Sequence, residues 1–547
     1  MIKRLLVLLL VVYGHIQAQN TVGTISITED AYDAFTLFTV NTKVYLINNC
    51  GEVINEWNSN YLPGNAVYLL PNGNILRAGR LNDGSSNIGF GGQGGIVELF
   101  DWDDNLLWSY TYSSNQFRQH HDVFPMPNGN VLILAATVVS DTDAIQAGRN
   151  PAFLPDNELY NEQILEVQPV GATGGNIVWE WNAIDHLIQD FDNTKNNFGV
   201  VADNPQKIDV NYLNGFSGGN NWLHINSMQY DAERDQIVLS SRNLSELWII
   251  DHSTTTAQAA TGAGGTYGRG GDLLYRWGNP EAYDQGTPVN RQLFGQHYPY
   301  IIPSGLPNAG KIIAFNNGFG RTPLFSEVDI IDPPISSPGV YTYTPGTPYG
   351  PATTDFTYSD LSTDPSEFYS AIVSSAQQLS NGNILVCEGR DGVFFEIDPS
   401  NSNAIVWKYI NPVSNADGSQ YEQTNPPPIN NLTFRAVKYG MDYPAFDGRD
   451  LTPGLPLEIN PDLTPCNNLS IDDFEISSLN IYPNPVNDFV TIDSTSPLDR
   501  IEVYNMLGAK VNETNSSTVD FREMNPGIYF LRVHSNSQSI SKKIIKR

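Results

Sequence analysis

Hydrophobic positions in this chain fall in short runs that alternate with polar ones, the period of a half-buried strand, and turn-forming Asn, Gly, Asp and Pro break the runs at short intervals. Two units recur. The first is an apolar strand, a turn like P-N-G-N and a second apolar strand: YLLPNGNILRAG (68–79), VFPMPNGNVLILA (123–135), MQYDAERDQIVLSS (228–241), YIIPSGLPNAGKIIAF (300–315) and AQQLSNGNILVCEG (376–389). Its turn chemistry makes each a hairpin. The second is a short strand, an acidic or polar turn and a strand ending in aromatics: VYLINNCGEVINEW (44–57), IVELFDWDDNLLWSY (96–110), ILEVQPVGATGGNIVWEW (164–181), LWIIDHS through LLYRW (247–277), VDIIDPP (328–334), whose partner strand is not evident, and FFEIDPSNSNAIVWKY (394–409).

The two units alternate, and AFTLFTV (34–40) can supply the inner hairpin missing from the first. Four strands per unit, six times over, predict an all-β chain whose main domain is a six-bladed β-propeller within residues 19–450, the radial arrangement that leaves only short, protected edges. The spacings 142–163, 183–220 and 335–365 leave room for a seventh or eighth blade.

Length and composition agree with this reading. A chain of 547 residues exceeds what one compact core organises, and 40% hydrophobic residues with 11% aromatics exclude a disordered chain. The net charge of −30 repels nucleic acid and anionic membrane, so neither is an expected partner. Residues 1–18, with Lys3-Arg4, an apolar run from Leu5 to Val12 and a small residue at Ala18, have the pattern of a signal peptide. No stretch is long and apolar enough to predict a transmembrane segment. Three cysteines are too few for a disulfide scaffold; a Cys50–Cys466 bridge would join the first and last parts of a closed ring, while Cys387 fits an apolar inner strand.

Composition shifts again in the Pro-, Leu- and Asn-rich stretch 451–475, expected to be a linker, after which short strands resume in a small domain, 476–547. Its strings LNIYPNPVND (479–488), IEVYNMLGAKV (501–511), MNPGIYFLRV (524–533) and KKIIKR (542–547) resemble, in order, the motifs of the type A sorting domain of the type IX secretion system. The resemblance implies a small β-sandwich, recognition by that secretion machinery, removal of the domain, and a protein released or held at the cell surface. An ordinary β-sandwich binding module is the alternative.

The histidines are not scattered. Seven positions before the turn residue of each inner hairpin stand Asn65, His121, His224, His297 and Ser374. Equivalent points on the innermost strands of a propeller face one channel, so three imidazoles are expected to converge. A water-filled polar channel and a three-imidazole metal site are the alternatives; against a metal, only Asp122 is at hand as an acidic neighbour.

The segments W-L-H-I-N-S-x-x-Y-D (222–231) with L-S-S-R-N (239–243), R-Q-H-H-D with P-N-G-N (118–130), G-Q-H with A-F-N-N-G (295–318) and N-x-x-F-R-A (431–436) resemble the bacterial arylsulfotransferases, the PAPS-independent aryl-sulfate sulfotransferases. That resemblance implies a six-bladed propeller, an aryl sulfate donor, a phenolic acceptor and no cofactor. It implies that His297 is the nucleophile that becomes sulfurylated, with His121, His224, Asn226 and Arg242 holding the sulfuryl oxygens. Arg435 and the aromatic residues Tyr298, Tyr369 and Phe368 are expected at the substrate, although blade packing is the other account of the aromatics. A secreted propeller that binds without chemistry, and an aryl-sulfate hydrolase, are the competing functions.

Overall fold

The computed structural model describes residues 20–214, 219–360, 364–423, 428–467, 480–494, 498–505, 510–535 and 538–547. The expected signal peptide lies outside the described residues. The chain divides into two compact units, Met1–Cys466 and Asn467–Arg547.

Among the described residues the first unit contains six antiparallel sheets of the propeller type. Blade 1 is Leu62–Leu69, Ile75–Arg80, Gly95–Phe100 and Leu106–Thr111, named from the inner strand outward; blade 2 is Phe117–Pro125, Val131–Ser140, Glu158–Val170 and Gly174–Asn182. Blade 3 is Ile225–Asp231, Gln236–Ser241, Glu246–Asp251 and Tyr275–Trp277, and blade 4 is His297–Ile301, Ile312–Asn316, Glu327–Ile331 and Phe356–Tyr358. Blade 5 is Ser375–Gln378, Ile384–Glu388, Val393–Asp398 and Ala404–Ile410, with Gly23–Ile27 added as a fifth strand. Among the described residues the long spacings between hairpins hold no further blade: 183–220 and 335–365 contain a two-stranded sheet each, Leu187–Ile188 with Ile208–Asp209 and Ile335–Ser337 with Val340–Tyr341.

Blade 6 closes the ring, and here the expectation needs correcting. Ala34–Val40 is its second strand; the innermost is Ala436–Gly440, which pairs with it antiparallel and is followed outward by Lys43–Ile47 and Val53–Asn58. Every residue of Ala34–Val40 is buried, as befits a strand covered on both edges. The stretch 451–466 is likewise not linker. Gly454 N–H donates to Val53 O (2.8 Å) and Leu457 N–H to Gly51 O (3.2 Å), Leu457 joins the apolar cluster of blades 5 and 6, and Cys466 is bonded to Cys50 with Cα atoms 5.9 Å apart. Cys387 is free and buried.

The aromatic ends of the outer strands explain how neighbouring blades lock. The indole N–H of Trp57 donates to Asp101 O (2.7 Å), and those of Trp108, Trp181, Trp277 and Trp407 donate to the carbonyls of Gly174, Gly271, Pro351 and Asn49, each at 2.8 Å. Each acceptor lies in the connection between the third and fourth strands of the next blade or, for Gly174, at the first residue of the fourth strand, so one residue type supplies apolar bulk and satisfies its own buried donor. Blade 4 carries Tyr358 at the equivalent place, packed on Phe395 of blade 5 with ring centroids 5.9 Å apart.

The second unit is a sandwich of a three-stranded and a four-stranded sheet around Val490, Ile501, Val503, Val519, Phe521, Leu531 and Val533.

Candidate functional site

The inner strands of blades 1 to 4 break register with their neighbours at one level: between Pro63 and Val67, across from Ile133 and Ala135, between Ile225 and Met228, and between His297 and Tyr300. At that level non-glycine residues adopt left-handed backbone: Asn65 (φ 90°), His121 (49°), His224 (47°), Tyr298 (54°) and, in blade 5, Ser374 (89°). The positions found seven residues before the turns are therefore the left-handed ones, at or beside the register break where there is one, except that in blade 4 the left-handed residue is Tyr298, one past His297. Each such residue costs about 1–3 kcal/mol, and a bulge is the device that re-aims a side chain out of its ladder.

The bulges bring the imidazoles together. The rings of His121 and His224 lie 4.8 Å apart at 75°, and those of His121 and His297 each contact Phe434, at 6.3 and 6.4 Å. Pairing of Ile225 with Ser241 carries the next residue, Arg242, beside His224, whose carbonyl accepts the Arg242 N–H (3.2 Å). The guanidinium packs on Phe319 at 4.8 Å and donates from Nη1 to Asn243 Oδ1 (3.2 Å).

His297 is held in one tautomer. Asn317 Nδ2 donates to two backbone carbonyls, Ser370 O (2.7 Å) and Val373 O (2.9 Å), which turns its Oδ1 toward His297 Nδ1 at 2.7 Å. Oδ1 can only accept, so Nδ1 carries the proton and the neutral ring presents its lone pair at Nε2. Burial, then the Arg242 charge, holds this imidazole down to about 3. His121 and His224 are also pushed well below the ordinary range, His121 by burial and then by His224, and His224 by burial and then by Arg242.

The remaining sequence candidates divide. Asn226, expected on the sulfuryl oxygens, is buried and donates from Nδ2 to Gln296 O (2.8 Å), tying blade 3 to the residue before His297. Arg435 is occupied by Asp122: Nη2 donates to Asp122 Oδ2 (2.8 Å) and Nη1 to Tyr68 Oη (2.6 Å), because a buried carboxylate needs a charged partner. Tyr298 covers that guanidinium, its ring centroid 3.9 Å away. Phe368 sits in the apolar core with Phe315, Tyr358 and Phe395, so packing is its role. Tyr369 is half-buried, and burial raises its hydroxyl while the charges of Arg390 and Arg242 oppose that rise.

Sequence reasoning missed the wall formed by Phe90, whose ring stands 5.8 Å from His224 and 6.2 Å from His121. Its loop is glycine-rich because it must be: a Cβ on Gly92, at φ 81°, would fall 2.1 Å from His121 Nε2. The signal was the run G-F-G-G-Q-G-G at 89–95. Beside the channel mouth a cavity of about 200 Å³ is lined by Asn65, Arg80 and Phe434, and it shares Asn415 and Leu432 with a cleft of about 880 Å³ that reaches Arg390 and Lys408.

Residues 105–426, more than half of the chain, match the arylsulfotransferase (ASST) family model, over the blades that carry all three histidines and Arg242. The chain belongs to the arylsulfotransferase family. Residues 480–547 match the secretion system C-terminal sorting domain. No curated protein matches the chain. Among solved structures it is similar to a putative 6-phosphogluconolactonase of Bacteroides fragilis, at 10% identity and TM-score 0.34 over 75% of this chain and 99% of that one. It is also similar to the periplasmic gluconolactonase of Pseudomonas aeruginosa, at 11% identity and TM-score 0.31 over 69% of this chain and 96% of that one.

Proposed function

We propose that this arylsulfotransferase moves a sulfuryl group from an aryl sulfate to a phenolic acceptor, without PAPS or any other cofactor, through a sulfurylated His297. The observation that carries the reading is the His297–Asn317 contact at 2.7 Å, which supports a neutral imidazole with its Nε2 lone pair available. A nucleophile must be unprotonated, and burial beside Arg242 favours that state across the neutral range. Arg242 supplies a planar, permanently charged fork for the sulfuryl oxygens, whose charge spreads in a loose in-line transfer. Tyr369 and Phe90 are suited to flank the aryl ring, and the two cavities at the mouth offer room for the acceptor. The order of events is ping-pong: the donor phenol leaves before the acceptor phenol takes the group. Export follows from the two ends of the chain, the signal peptide through the inner membrane and the type IX sorting domain to the cell surface or the medium.

The test is direct. Brief exposure of the protein to 4-nitrophenyl sulfate alone is expected to release one equivalent of 4-nitrophenol and to leave one sulfuryl group on the peptide containing His297. The variant His297→Asn is expected to lose transfer by on the order of 10⁴–10⁶-fold, the scale for removing a nucleophile. Retained transfer in that variant refutes the sulfohistidine, and steady release of phenol without an acceptor identifies a hydrolase.

A further inference from the structure

Sulfuryl transfer needs a proton for the departing phenol oxygen, and the imidazoles grouped with the nucleophile hold none in reserve. Burial, followed for each by the neighbouring cationic and imidazole groups, keeps His121 and His224 neutral. A neutral imidazole can release its N–H only if a proton arrives at its other nitrogen in the same event. His121 has such a source: its Nδ1 lies 2.9 Å from Nδ1 of His120. The chain of contacts goes on, because His120 Nε2 lies 2.9 Å from Glu162 Oε2. Glu162 Oε1 accepts the N–H of Ile225 at 2.9 Å, so both oxygens of this carboxylate are fixed. His120 and Glu162 are 0% and 2% exposed, which leaves solvent no part in the contact.

We propose that Glu162 and His120 are positioning residues that store and relay one proton through His121, whose Nε2 gives it to the leaving phenol oxygen and takes it from the acceptor. This inference rests on the sulfotransferase reading. In the first half-reaction His297 Nε2 bonds to sulfur while the bond from sulfur to the aryl oxygen breaks, its electron pair staying on that oxygen. The oxygen takes the proton of His121 Nε2–H, and His120 Nδ1–H refills His121 at Nδ1. The Glu162–His120 pair thereby gives up the one proton it stores, with His120 Nε2 and Glu162 Oε2 still in contact. In the second half the acceptor hydroxyl gives its proton to His121 Nε2, the Nδ1 proton returns to His120, and the acceptor oxygen bonds to sulfur as the bond from sulfur to His297 breaks. The stored proton is kept on the pair that contains Glu162 and away from Arg242, whose positive charge would repel it.

The experiment compares leaving groups in a single turnover of the full chain. 4-Nitrophenolate departs without a proton, whereas the phenoxide of phenyl sulfate needs one. Glu162→Gln is expected to slow phenol release from phenyl sulfate by about 10²-fold or more, and release from 4-nitrophenyl sulfate by less than about tenfold. His120→Gln is expected to show the same split, and serves should Glu162→Gln fail to fold. Equal losses on the two donors, or no loss, overturn the relay while leaving the sulfotransferase reading standing. Absence of transfer from either donor by the wild type overturns both.

Discussion

Three imidazoles at the channel of this propeller and one half-buried imidazole on its flank are driven toward opposite charge states, and the comparison shows what sets them. His121, His224 and His297 meet at the channel beside Arg242, and His252 lies on the flank between blades 2 and 3. At the channel, burial and the positive neighbour act together, and His297 is held down to about 3. On the flank burial also opposes charge, but His252 donates from Nδ1 to Asp235 (2.6 Å) and from Nε2 to Glu166 (3.1 Å), and these bonds outweigh it, raising the imidazole to about 9. One residue type is thus held neutral in one place and serves as a cationic clamp in another. The neighbours decide, since burial is common to both.

A large effect is expected where that contrast is removed at the channel. Arg242→Ala takes away the proposed sulfuryl-oxygen ligand and the cation that, after burial, depresses His297. Transfer is expected to fall about 10²–10³-fold, the cost of one transition-state donor of roughly 2.7–4 kcal/mol. The acid limb of the rate profile is expected to move to higher pH, because His297 without Arg242 takes up its proton more readily. Arg242→Lys restores the charge without the fork, so it is expected to recover the pH limb and little of the rate. A variant whose pH limb stays in place would mean that burial alone keeps His297 neutral.

What could be read from the sequence follows from range. The hairpins and the aromatic outer strands were legible because their turns are local, and the histidine register because a repeat copies position as well as shape. Blade 6 was not, since its innermost strand Ala436–Gly440 comes from the far end of the chain and has no turn joining it to Ala34–Val40. Asn226 and Arg435 stood in the right motifs, yet their atoms are engaged by the carbonyl of Gln296 and by Asp122. Phe368 lies next to Tyr369 but on the core side of the chain, a difference no pattern in the loop encodes. The Glu162–His120 contact escaped notice for the same reason: Glu162 lies in the third strand of its blade, and nothing local points it at an inner-strand histidine.

A second prediction separates the rim from the channel. The Cys50–Cys466 bridge ties the terminal segment of the first unit to blade 6, across a separation of 416 residues. Cys50→Ser combined with Cys466→Ser is expected to lower stability by about 2–4 kcal/mol, seen as an earlier denaturant midpoint, with transfer activity unchanged at low temperature. Reductant is expected to shift the wild type in the same way and to leave the double variant alone. Loss of activity before loss of fold would mean that ring closure also shapes the channel.

The smallest effect sharpens the comparison from the side of His252. Its folded pKa of about 9 lies above the ordinary 6.5 or so of an unfolded chain, so its contribution is full below about pH 6.5 and disappears as pH rises through 9. Its partners behave in the opposite sense. Glu166, held to about 2 first by its hydrogen bond from His252, and Asp235, lowered by the same imidazole, contribute above the ordinary carboxylate range and lose that contribution as pH falls through their folded values. The clamp is therefore at full strength between about pH 5 and 6.5. Its worth is moderated by solvent, because the Asp235 side chain is 43% exposed. In His252→Gln the thermal midpoint is expected to drop by a few degrees at pH 6 and by less at pH 10, so that the two unfolding curves converge as the medium turns alkaline. The channel histidines contribute nothing to this convergence, since they are neutral throughout that range. A wild type whose margin over His252→Gln is constant from pH 6 to 10 would show that His252 acts by packing on Trp179, 4.6 Å from its ring, and carries no charge.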